Sequence, residues 1–412
     1  MKYRILASQV YKALKTFPAL VVTGPRQSGK TTLLRHILGA THAYANLENP
    51  DVRARAREDP VSFLSQFSKG VILDEIQYVP ELLPYVKDRI DEKRTSERGR
   101  WVLTGSQNFA LMEGVSESLA GRAAILTLLP FSLSERTGNG ETSVDTPRLI
   151  RLMRDSALPR HAASKAPSIA EVCMRGSYPE IATNEKIDHG LWCGSYITTY
   201  LERDIRNLSH VGDLGQFERF VRLCATRTGQ ILNISELARD IGVSVPTAKR
   251  WLSLLETGYQ ILLLYPYYKN VGKRIVKSPK LYFNDTALAA YLLGFQDQRT
   301  LLSGPYFPNL FETLIVTDFW KRFVHFGQLP SLYYLRTRDG LEVDLVVEVN
   351  QKLHLFEIKS GATITPHHAA SLLRAKKDLG SLAPTATVIS QATGNFSLMQ
   401  GIMHWNWRTL FS

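Results

Sequence analysis

Cysteine is scarce in this sequence of 412 residues: only Cys173, Cys193 and Cys224 occur, and no two are close together. This pattern indicates neither a disulfide framework nor a cysteine-based zinc site, and it fits a reducing, intracellular compartment. Long apolar runs are missing too, since no stretch approaches the roughly 18 apolar residues of a membrane-spanning helix. Lysine and glutamine interrupt the N-terminal segment, which is untypical of a signal peptide. We therefore predict a cytoplasmic protein with no membrane partner.

Negative charge is also in deficit. The chain has 38 Asp and Glu residues against 50 Lys and Arg, a formal net charge of +12. This excess favours a polyanionic partner, with nucleic acid ahead of a membrane surface, and a diffuse basic surface is the alternative. Hydrophobic content of 44% is ordinary for a globular protein. The length predicts roughly two to four domains.

A phosphate-binding loop is the clearest motif in the sequence. An apolar strand, ALVVTG, runs into the segment 24–31, which has the spacing G-x-x-x-x-G-K-[ST], and an apolar-faced helix follows. In such a loop, backbone N–H groups and the helix N-terminus bind phosphates, the lysine reaches the β- and γ-phosphates, and the threonine binds Mg²⁺. We therefore predict ATP and Mg²⁺ as cofactors. The predicted nucleotide-binding residues are Gly24, Pro25, Arg26, Gln27, Ser28, Gly29, Lys30, Thr31 and Thr32.

A second apolar strand, GVILDEIQ, ends in two carboxylates that complete a predicted hydrolytic site. Asp74 is placed to hold Mg²⁺ together with Thr31, and Glu75 is placed to orient or deprotonate the attacking water. The alternative is a strand followed by a solvated acidic turn. A third strand, RWVLTGSQNF, ends in polar residues at the edge where α/β sheets place ligand-contacting groups. The combination predicts a Mg-dependent ATP hydrolase.

These strands and motifs together resemble an AAA+-type P-loop ATPase. More narrowly, residues 1–136 resemble the prokaryotic ATPase family with the signatures LTGS, LAGR and PFSLSE. The resemblance implies that Ser106 is the first sensor, with Gln107 as its rival, and that Arg122 is an arginine finger acting on a neighbouring subunit. A finger in trans implies a homo-oligomer, for which a hexameric ring is expected. For Arg122 the alternative is a surface salt bridge or a helix cap.

The middle of the chain contains two short helical segments joined by a glycine-containing turn, which indicates a helix-turn-helix followed by a wing. The segment 257–284 has no acidic residue, and its lysines are interleaved with tyrosines, a composition that suits nucleic acid. The alternative is a winged helix used only for packing. A helical lid is predicted before it, with Arg203 as a candidate second sensor. The predicted DNA-binding residues are Lys249, Arg250, Lys269, Lys273, Arg274 and Lys277.

The C-terminal segment carries a second group of carboxylates. Strand alternation puts Glu357 and Lys359 on one face, and an in-register hairpin would bring Asp344 to them. Such carboxylates can hold Mg²⁺, and the lysine can act on the attacking water as a catalytic residue. The order of elements resembles the PD-(D/E)xK nuclease fold, in which some enzymes add a helix carboxylate matched here by Glu312. The predicted metal ligands are thus Glu312, Asp344 and Glu357; the alternative is a chance pattern of charges on exposed strands.

The chain as a whole is predicted to be an α/β protein with an ATPase core (1–136), a helical lid (137–213), a winged helix-turn-helix (214–285) and a restriction-endonuclease-like domain (286–412). Residues from about 190 to 360 resemble the domain of unknown function that follows this ATPase domain in bacteria and archaea, through YLERDI, PKLYFNDTAL, FETLIV and EVDLVV. The leading hypothesis is a DNA-binding, oligomeric ATPase that remodels or processes DNA, including branched DNA, with a C-terminal domain that cuts or only recognises it. The alternatives are a nucleotide-controlled signalling or defence switch and a nuclease regulated by its ATPase.

Overall fold

The computed structural model describes residues 2–93, 97–105, 115, 117–155, 167–200, 214–268 and 277–412. Some residues named above lie outside these ranges, and their predicted roles stay predictions: Ser106, Gln107, Arg203, Lys269, Lys273 and Arg274. The other predicted site residues all lie within the described part of the chain. No helix in that part is long and apolar enough to cross a membrane.

The N-terminal part is built on five strands: β1 (Ala19–Thr23), β2 (His42–Asn46), β3 (Gly70–Asp74), β4 (Trp101–Thr104) and β5 (Ala123–Thr127). They form one parallel sheet in the order β2-β3-β4-β1-β5. β1 is buried along its whole length because helices cover both faces of the sheet. The predicted α/β fold with a parallel central sheet is therefore confirmed.

Two helical layers cover this sheet. The helices are α1 (Leu6–Thr16), α2 (Lys30–Leu38), α3 (Pro50–Glu58), α4 (Pro60–Ser65) and α5 (Leu82–Glu92). Alternate residues of β1 face different layers, with Leu20 and Val22 packing in the core that contains α1 and α2. Val21 packs in the other core, which contains residues of α3, α4 and α5. The strand ends that carry the predicted site are thus fixed from both sides.

A helical region and a small antiparallel sheet follow. The helices are α6 (Leu133–Thr137), α7 (Thr146–Arg154), α8 (Ile169–Arg175), α9 (Pro179–Thr183), α10 (His189–Thr199), α11 (Leu214–Thr226), α12 (Ile234–Ile241) and α13 (Val245–Thr257). Gly242 caps the C-terminus of α12 in the left-handed conformation with φ 78°, and the Ser244 side chain caps the N-terminus of α13. Three strands complete the region in the order β6-β8-β7: β6 (Gln230–Ile231), β7 (Ile261–Leu264) and β8 (Lys280–Phe283).

The C-terminal part contains a mixed six-stranded sheet in the order β13-β14-β12-β11-β10-β9. Its helices are α14 (Thr286–Leu292), α15 (Gln298–Ser303), α16 (Phe307–His325) and α17 (Ala370–Leu379). Its strands are β9 (Leu332–Arg336), β10 (Glu342–Val349), β11 (Lys352–Lys359), β12 (Thr385–Ser390), β13 (Phe396–Met399) and β14 (Ile402–Asn406). The antiparallel meander β9-β10-β11 and the helix α17 before β12 follow the predicted order. A single hydrophobic core joins the helical region, the small sheet, α16 and part of this sheet.

A buried carboxylate, Glu135, connects four separate pieces of chain. It forms a capping box with Ser132 at the start of α6. Its Oε1 accepts hydrogen bonds from Arg4 Nε (3.1 Å) and from the Ile5 backbone (2.8 Å), and its Oε2 lies 3.2 Å from Nδ1 of His325 in α16. Arg4 in turn donates to the backbone oxygen of Ser28 in the phosphate-binding loop at 2.7 Å. Glu135 therefore links the N-terminus, the loop, α6 and α16.

Helix α16 also carries three further buried charged residues. Asp318 accepts the Leu133 backbone N–H at 2.6 Å, and Lys321 donates to the Ser177 hydroxyl at 2.7 Å. Arg322 donates to the backbone oxygens of Val144, Leu410 and Ser412. The structure buries the charged side of α16 as well as its apolar side. The reason is that this side supplies ion pairs and backbone hydrogen bonds to the parts of the chain around it.

We predict that Glu135→Gln lowers the free energy of unfolding by about 3–5 kcal/mol at pH 7, because it leaves the buried Arg4 without its charge partner. Burial alone would raise the pKa of Glu135, but Arg4 and His325 outweigh it and hold the pKa well below its ordinary value. The stability that this carboxylate contributes is therefore present above its unfolded pKa of about 4.3 and is lost as the pH falls. Urea unfolding at pH 7 and pH 4 measures the effect.

The matched control is Glu218→Gln, which removes an exposed carboxylate paired with Arg222 on α11. It should change the free energy of unfolding by less than about 1 kcal/mol. The free energies of unfolding of wild type and Glu135→Gln should differ less at pH 4 than at pH 7. A difference that stays constant or widens would contradict the prediction.

Candidate functional site

The predicted phosphate-binding loop joins the buried end of β1 to the start of α2. Gly24 has φ 137° and Gly29 has φ 95°, conformations that favour glycine, and a side chain on Gly24 would overlap the carbonyl oxygen of Leu128. α2 begins at Lys30. Lys30 is buried, and its Nζ donates to the backbone oxygens of Gly24 and Pro25, both at 2.9 Å. The loop thus holds an ammonium group beside the first turn of a helix.

An open cavity of about 330 Å³ lies against this loop. Six of its lining residues were predicted as nucleotide-binding: Arg26, Gln27, Gly29, Lys30, Thr31 and Thr32. Glu75 lines the same cavity. The structure therefore brings the predicted phosphate-binding residues and the predicted general base together. The other wall consists of residues with no predicted role in the site: Tyr196, Thr199 and Tyr200.

Asp74 is the centre of the hydrogen-bond network at this edge of the sheet. It is buried, and its Oδ2 accepts hydrogen bonds from the hydroxyls of Thr31 (2.9 Å) and Tyr44 (2.6 Å). The Thr104 hydroxyl donates to the other carboxylate oxygen. Burial and the Asp74 carboxylate raise the pKa of Tyr44, so its hydroxyl remains a donor. These contacts fix the Asp74 carboxylate beside the start of α2.

Thr31 and Asp74 fit the requirements of Mg²⁺. A hydroxyl and a carboxylate are hard oxygen ligands, and Mg²⁺ in nucleotide sites takes few protein ligands because phosphates and waters supply the rest. Within the described residues there is no group of three or more His, Cys, Asp or Glu side chains that could hold a metal ion by themselves. A Mg²⁺ site at this loop is therefore one that the nucleotide would help to form.

Glu75 has an unusual backbone conformation for a non-glycine residue, with φ 58°. Its N–H donates to the Thr104 hydroxyl at 3.3 Å, and the Gln77 side chain donates to its carboxylate. A strained backbone that neighbouring residues hold in place is typical of functional sites. The conformation turns the chain at the strand end, so that Asp74 lies in the network while Glu75 lines the cavity.

Sequence reasoning missed Tyr44 and the role of Thr104. No role was predicted for Tyr44, whereas its hydroxyl contacts Asp74 in the structure. Thr104 was noted only as part of a polar strand end, and Ser106, the predicted sensor, lies outside the described residues. β4 ends at Thr104 beside β3, which is why a hydroxyl at this position reaches Asp74. A polar residue at the end of a central strand was the available signal.

Arg122 takes part in a salt bridge within its own subunit. Its Nε and Nη2 donate to the two carboxylate oxygens of Asp91 at 2.7 and 2.8 Å, and its Nη1 donates to the Ala120 backbone at 3.1 Å. This is the alternative that the sequence left open. The role of an arginine finger stays a prediction, and it would require Arg122 to leave Asp91.

Hydrogen bonds connect the nucleotide cavity to the end of α13. The Tyr259 hydroxyl lies 3.1 Å from Oγ1 of Thr23, the last residue of β1 before the loop. The Gln260 side chain donates to the Tyr196 hydroxyl at 3.1 Å, on the wall of the cavity formed by α10. Tyr259 has φ 58°, and its backbone oxygen accepts from the Asn284 side chain at 2.9 Å. Tyr259 and Gln260, which follow α13 after Gly258, therefore contact the end of β1 and the α10 wall of the cavity.

The C-terminal carboxylates converge as predicted, but around an additional cation. Lys280 Nζ lies 2.7 Å from Glu342, 3.2 Å from Glu312 and 3.7 Å from Asp344. Glu357 accepts from Lys359 at 2.6 Å, and Asp344 accepts the Ile358 N–H at 2.8 Å. Burial and the nearby Asp344 charge raise the pKa of both Glu312 and Glu357. The predicted metal role of these carboxylates does not fit this arrangement, because an ammonium group lies among them.

Residues 16–137 match the AAA domain family. Residues 166–299 and 307–410 match two domains of unknown function, DUF8612 and DUF4143. The uncharacterized protein Mb2031c of Mycobacterium bovis is 32% identical over 377 residues, which are 91% of this chain and 77% of that protein. The uncharacterized protein Rv2008c of Mycobacterium tuberculosis gives the same values. The chain belongs to this family of AAA-type ATPases.

Solved structures with partial similarity to this AAA-type ATPase share little sequence with it. The Walker-type ATPase PABY2304 of Pyrococcus abyssi is 16% identical with a TM-score of 0.43, over 70% of this chain and 94% of that chain. A RuvB variant of Thermotoga maritima is 14% identical with a TM-score of 0.31, over 63% of this chain and 88% of that chain. A STAND protein of Pyrococcus horikoshii with a tetratricopeptide repeat sensor is 10% identical with a TM-score of 0.25, over 76% of this chain and 47% of that chain.

We predict that Glu75→Gln binds ATP but lowers kcat for hydrolysis by about 10²–10⁴-fold, because an amide cannot accept the proton of the attacking water. Lys30→Ala should instead weaken nucleotide binding itself. Binding of a fluorescent ATP analogue and phosphate release measure the two effects separately. Glu81→Gln is the control, since Glu81 is an exposed carboxylate paired with Arg57. Rapid hydrolysis by Glu75→Gln would rule out Glu75 as the base.

Proposed function

We propose that this AAA-type ATPase hydrolyses ATP with Mg²⁺ and couples its nucleotide state to a winged helix that binds DNA. The observation that carries the proposal is the cavity that Lys30, Thr31 and Glu75 line together, with Asp74 fixed beside it. Each member of this set has the chemistry that one step of hydrolysis needs. The wall of the same cavity is hydrogen-bonded to the end of α13.

In the proposed hydrolysis, the Lys30 ammonium exchanges its two loop carbonyls for oxygens of the β- and γ-phosphates. Thr31 and Asp74 would hold Mg²⁺, which when bound neutralises charge on the phosphates. Glu75 orients the attacking water and accepts its proton as the water oxygen bonds to the γ-phosphorus and the bond to the β–γ bridging oxygen breaks. Gln77 keeps the Glu75 carboxylate in place through its hydrogen bond.

The proposed coupling begins at the loop and ends at α13. When Lys30 turns to phosphate, the carbonyls of Gly24 and Pro25 lose their donor, and the loop can shift. Thr23, directly before the loop, contacts the Tyr259 hydroxyl, and Tyr259 follows α13 closely in the chain. A shift at Thr23 would therefore reach the helix that carries Lys249 and Arg250. Oγ1 of Thr127, on the neighbouring strand β5, lies 3.2 Å from Oγ1 of Thr23 and forms a hydrogen bond with it.

The DNA-binding part of the proposal rests on the surface around α12 and α13. The helix-turn-helix geometry and the hairpin strands β7 and β8 support the winged-helix assignment. An open groove of about 770 Å³ is lined by Lys249 and Lys277 together with Ser253 and Tyr265. Arg250 is exposed next to Lys249 on α13. Glu256 lines the groove too, and burial raises the pKa of its carboxyl group. Basic residues in a groove of this kind suit a phosphate backbone.

A ring-shaped homo-oligomer, with a hexamer as the expected form, belongs to the proposal and is supported by the AAA domain match. Arg122 would contribute to a neighbouring site only if its bidentate pair with Asp91 opened. Sedimentation with and without ATP tests the assembly.

A second candidate function is a nucleotide-controlled signalling or defence switch that does not bind DNA. The observation that favours it is the buried Arg4–Glu135 pair, through which α16 of the C-terminal part reaches the backbone of the phosphate-binding loop. Under this hypothesis, the helix-turn-helix and the C-terminal domain are scaffold or effector. DNA binding distinguishes the two candidates.

We predict that the wild type binds duplex, forked or four-way DNA with an affinity that falls steeply with salt, and that the double variant Lys249→Ala/Arg250→Ala binds weakly. The slope of log K against log salt should decrease by about 2, because two phosphate contacts are lost. The control is Lys12→Ala/Lys15→Ala, which removes two exposed lysines of α1. Fluorescence anisotropy and ATP hydrolysis are measured on the same DNA panel. If the wild type binds no DNA and its ATP hydrolysis is not stimulated by DNA, the result would favour the signalling or defence switch.

We predict that Tyr259→Phe hydrolyses ATP at a near-normal basal rate but loses the effect of ATP on DNA affinity. The missing hydroxyl breaks the only step that the proposal places between Thr23 and α13. The ratio of DNA affinities with and without ATP should move from about 5-fold or more toward one, given usual coupling energies. Tyr85→Phe, an exposed tyrosine of α5, is the control. A Tyr259→Phe protein with full coupling would refute this route.

A further inference from the structure

Lys280 is the first residue of β8, and its side chain is almost fully buried. It points from the small antiparallel sheet into a group of carboxylates of the C-terminal part, here called the acidic cluster: Glu312, Glu342, Asp344 and Glu357. A lysine is rarely buried to this degree unless it is paired. Three carboxylates lie within 4 Å of its Nζ and supply the counter-charge that a buried ammonium ion needs.

The ammonium group is surrounded on several sides by acceptors. Its Nζ lies 2.7 Å from Glu342 Oε1 and 3.2 Å from Glu312 Oε1. Asp344 Oδ1 is at 3.7 Å, and the Tyr334 ring centroid is at 5.7 Å. The Tyr282 hydroxyl donates to the same oxygen of Glu312 at 2.6 Å. These partners come from α16, β8, β9 and β10.

A divalent cation would need the same oxygens at different distances. Mg²⁺ requires close to octahedral oxygen coordination at about 2.0–2.1 Å, whereas the oxygens here stand at hydrogen-bond and ion-pair distances from a nitrogen. Lys359 donates to Oε1 of Glu357, and the Ile358 backbone N–H donates to Asp344. The other carboxylate oxygen of Glu357, Oε2, is buried and has no hydrogen-bond partner among the described residues. A second positive charge among these groups would be repelled by Lys280.

Lys280 and Tyr334 lie where the small antiparallel sheet meets the six-stranded sheet. The Tyr267 N–H donates to the Tyr334 backbone oxygen at 2.7 Å, and the Tyr334 N–H donates to the Tyr265 backbone oxygen at 3.2 Å. The Tyr334 hydroxyl donates to the Ser278 backbone oxygen at 2.6 Å. The segment that follows β7 therefore pairs with β9 at Tyr334, whose ring faces Lys280. This places the ammonium at a junction between the predicted winged helix and the C-terminal sheet.

We propose that Lys280 is the resident cation of the acidic cluster, so that the cluster is closed to divalent metal and serves as a joint between the two sheets. The C-terminal domain would then anchor the winged-helix part and would not cut DNA with Mg²⁺. The inference is independent of DNA binding and of ATP hydrolysis, and either could fail without affecting it.

The test is Mn²⁺ binding to the full-length chain without nucleotide, measured by electron paramagnetic resonance of the free ion. Wild-type protein and Asp344→Asn should bind the same amount of Mn²⁺, because the acidic cluster of the wild type is expected to bind none. Lys280→Met should gain one Mn²⁺ per chain, and Lys280→Met/Asp344→Asn should lose it again. Wild-type binding that depends on Asp344 would overturn the proposal, and so would a folded Lys280→Met protein that binds no Mn²⁺.

Thermal unfolding supplies a second readout. Without metal, the midpoint of Lys280→Met should fall by about 5–10 °C, because buried carboxylates lose their counter-charge, and Mn²⁺ should restore part of it. Lys352→Met is the matched control: Lys352 is exposed on the neighbouring strand β11 and donates to the Ser381 backbone. It should neither lower the midpoint nor bind Mn²⁺. If the unfolding midpoint of Lys280→Met equals that of Lys352→Met, Lys280 does not stabilise the junction between the two sheets and the proposal is wrong. If Lys280→Met does not fold, the wild-type and Asp344→Asn titrations still decide the metal question.

Discussion

The buried pair of Arg4 and Glu135 is the interaction on which the rest of the structure depends. One carboxylate caps α6, holds the residues before α1 and faces His325 of α16, while its partner donates to the backbone of the phosphate-binding loop. A buried ion pair is stable only when further hydrogen bonds satisfy both partners, and here those hydrogen bonds come from distant segments. The position of the loop therefore depends on correct packing of the C-terminal part.

The nucleotide site was largely predictable because its determinants are local. Asp74 ends β3 and Glu75 follows it, while Lys30 and Thr31 begin α2 after the short loop that follows β1. Parallel strands end at one edge of a sheet, so these residues meet there. The strands of the parallel sheet were predictable because they are short continuous apolar runs, and the meander β9-β10-β11 was predictable because three strand-like segments follow one another closely in the chain. From the sequence, Asp344 would meet Glu357 and Lys359 only if the hairpin paired in register, and the structure shows the pairing of β10 with β11 that meets this condition.

Other parts of the site could not be predicted, because they depend on contacts between residues far apart in the chain. Tyr259 reaches Thr23 across 236 positions, and Arg4 reaches Glu135 across 131. Lys280 is the sharpest case: nothing in its own segment, a basic and aromatic stretch, indicates that its partners are carboxylates of α16 and β10. In that segment the sequence suggested phosphate contacts, whereas the structure directs this one lysine inward.

The buried charges of α16 limit how such a chain can change over generations. Because this helix supplies partners to α6, to the region around Ser177 and to the C-terminal residues, the segments that precede and follow it share one set of electrostatic requirements. An ATPase core joined by recombination to a different C-terminal domain would keep the Arg4–Glu135 pair but would lose His325 beside Glu135 and the Asp318 carboxylate that accepts the Leu133 N–H. The parts of this protein are therefore expected to be inherited together, and a new partner domain would have to bring its own acceptor to the start of α6.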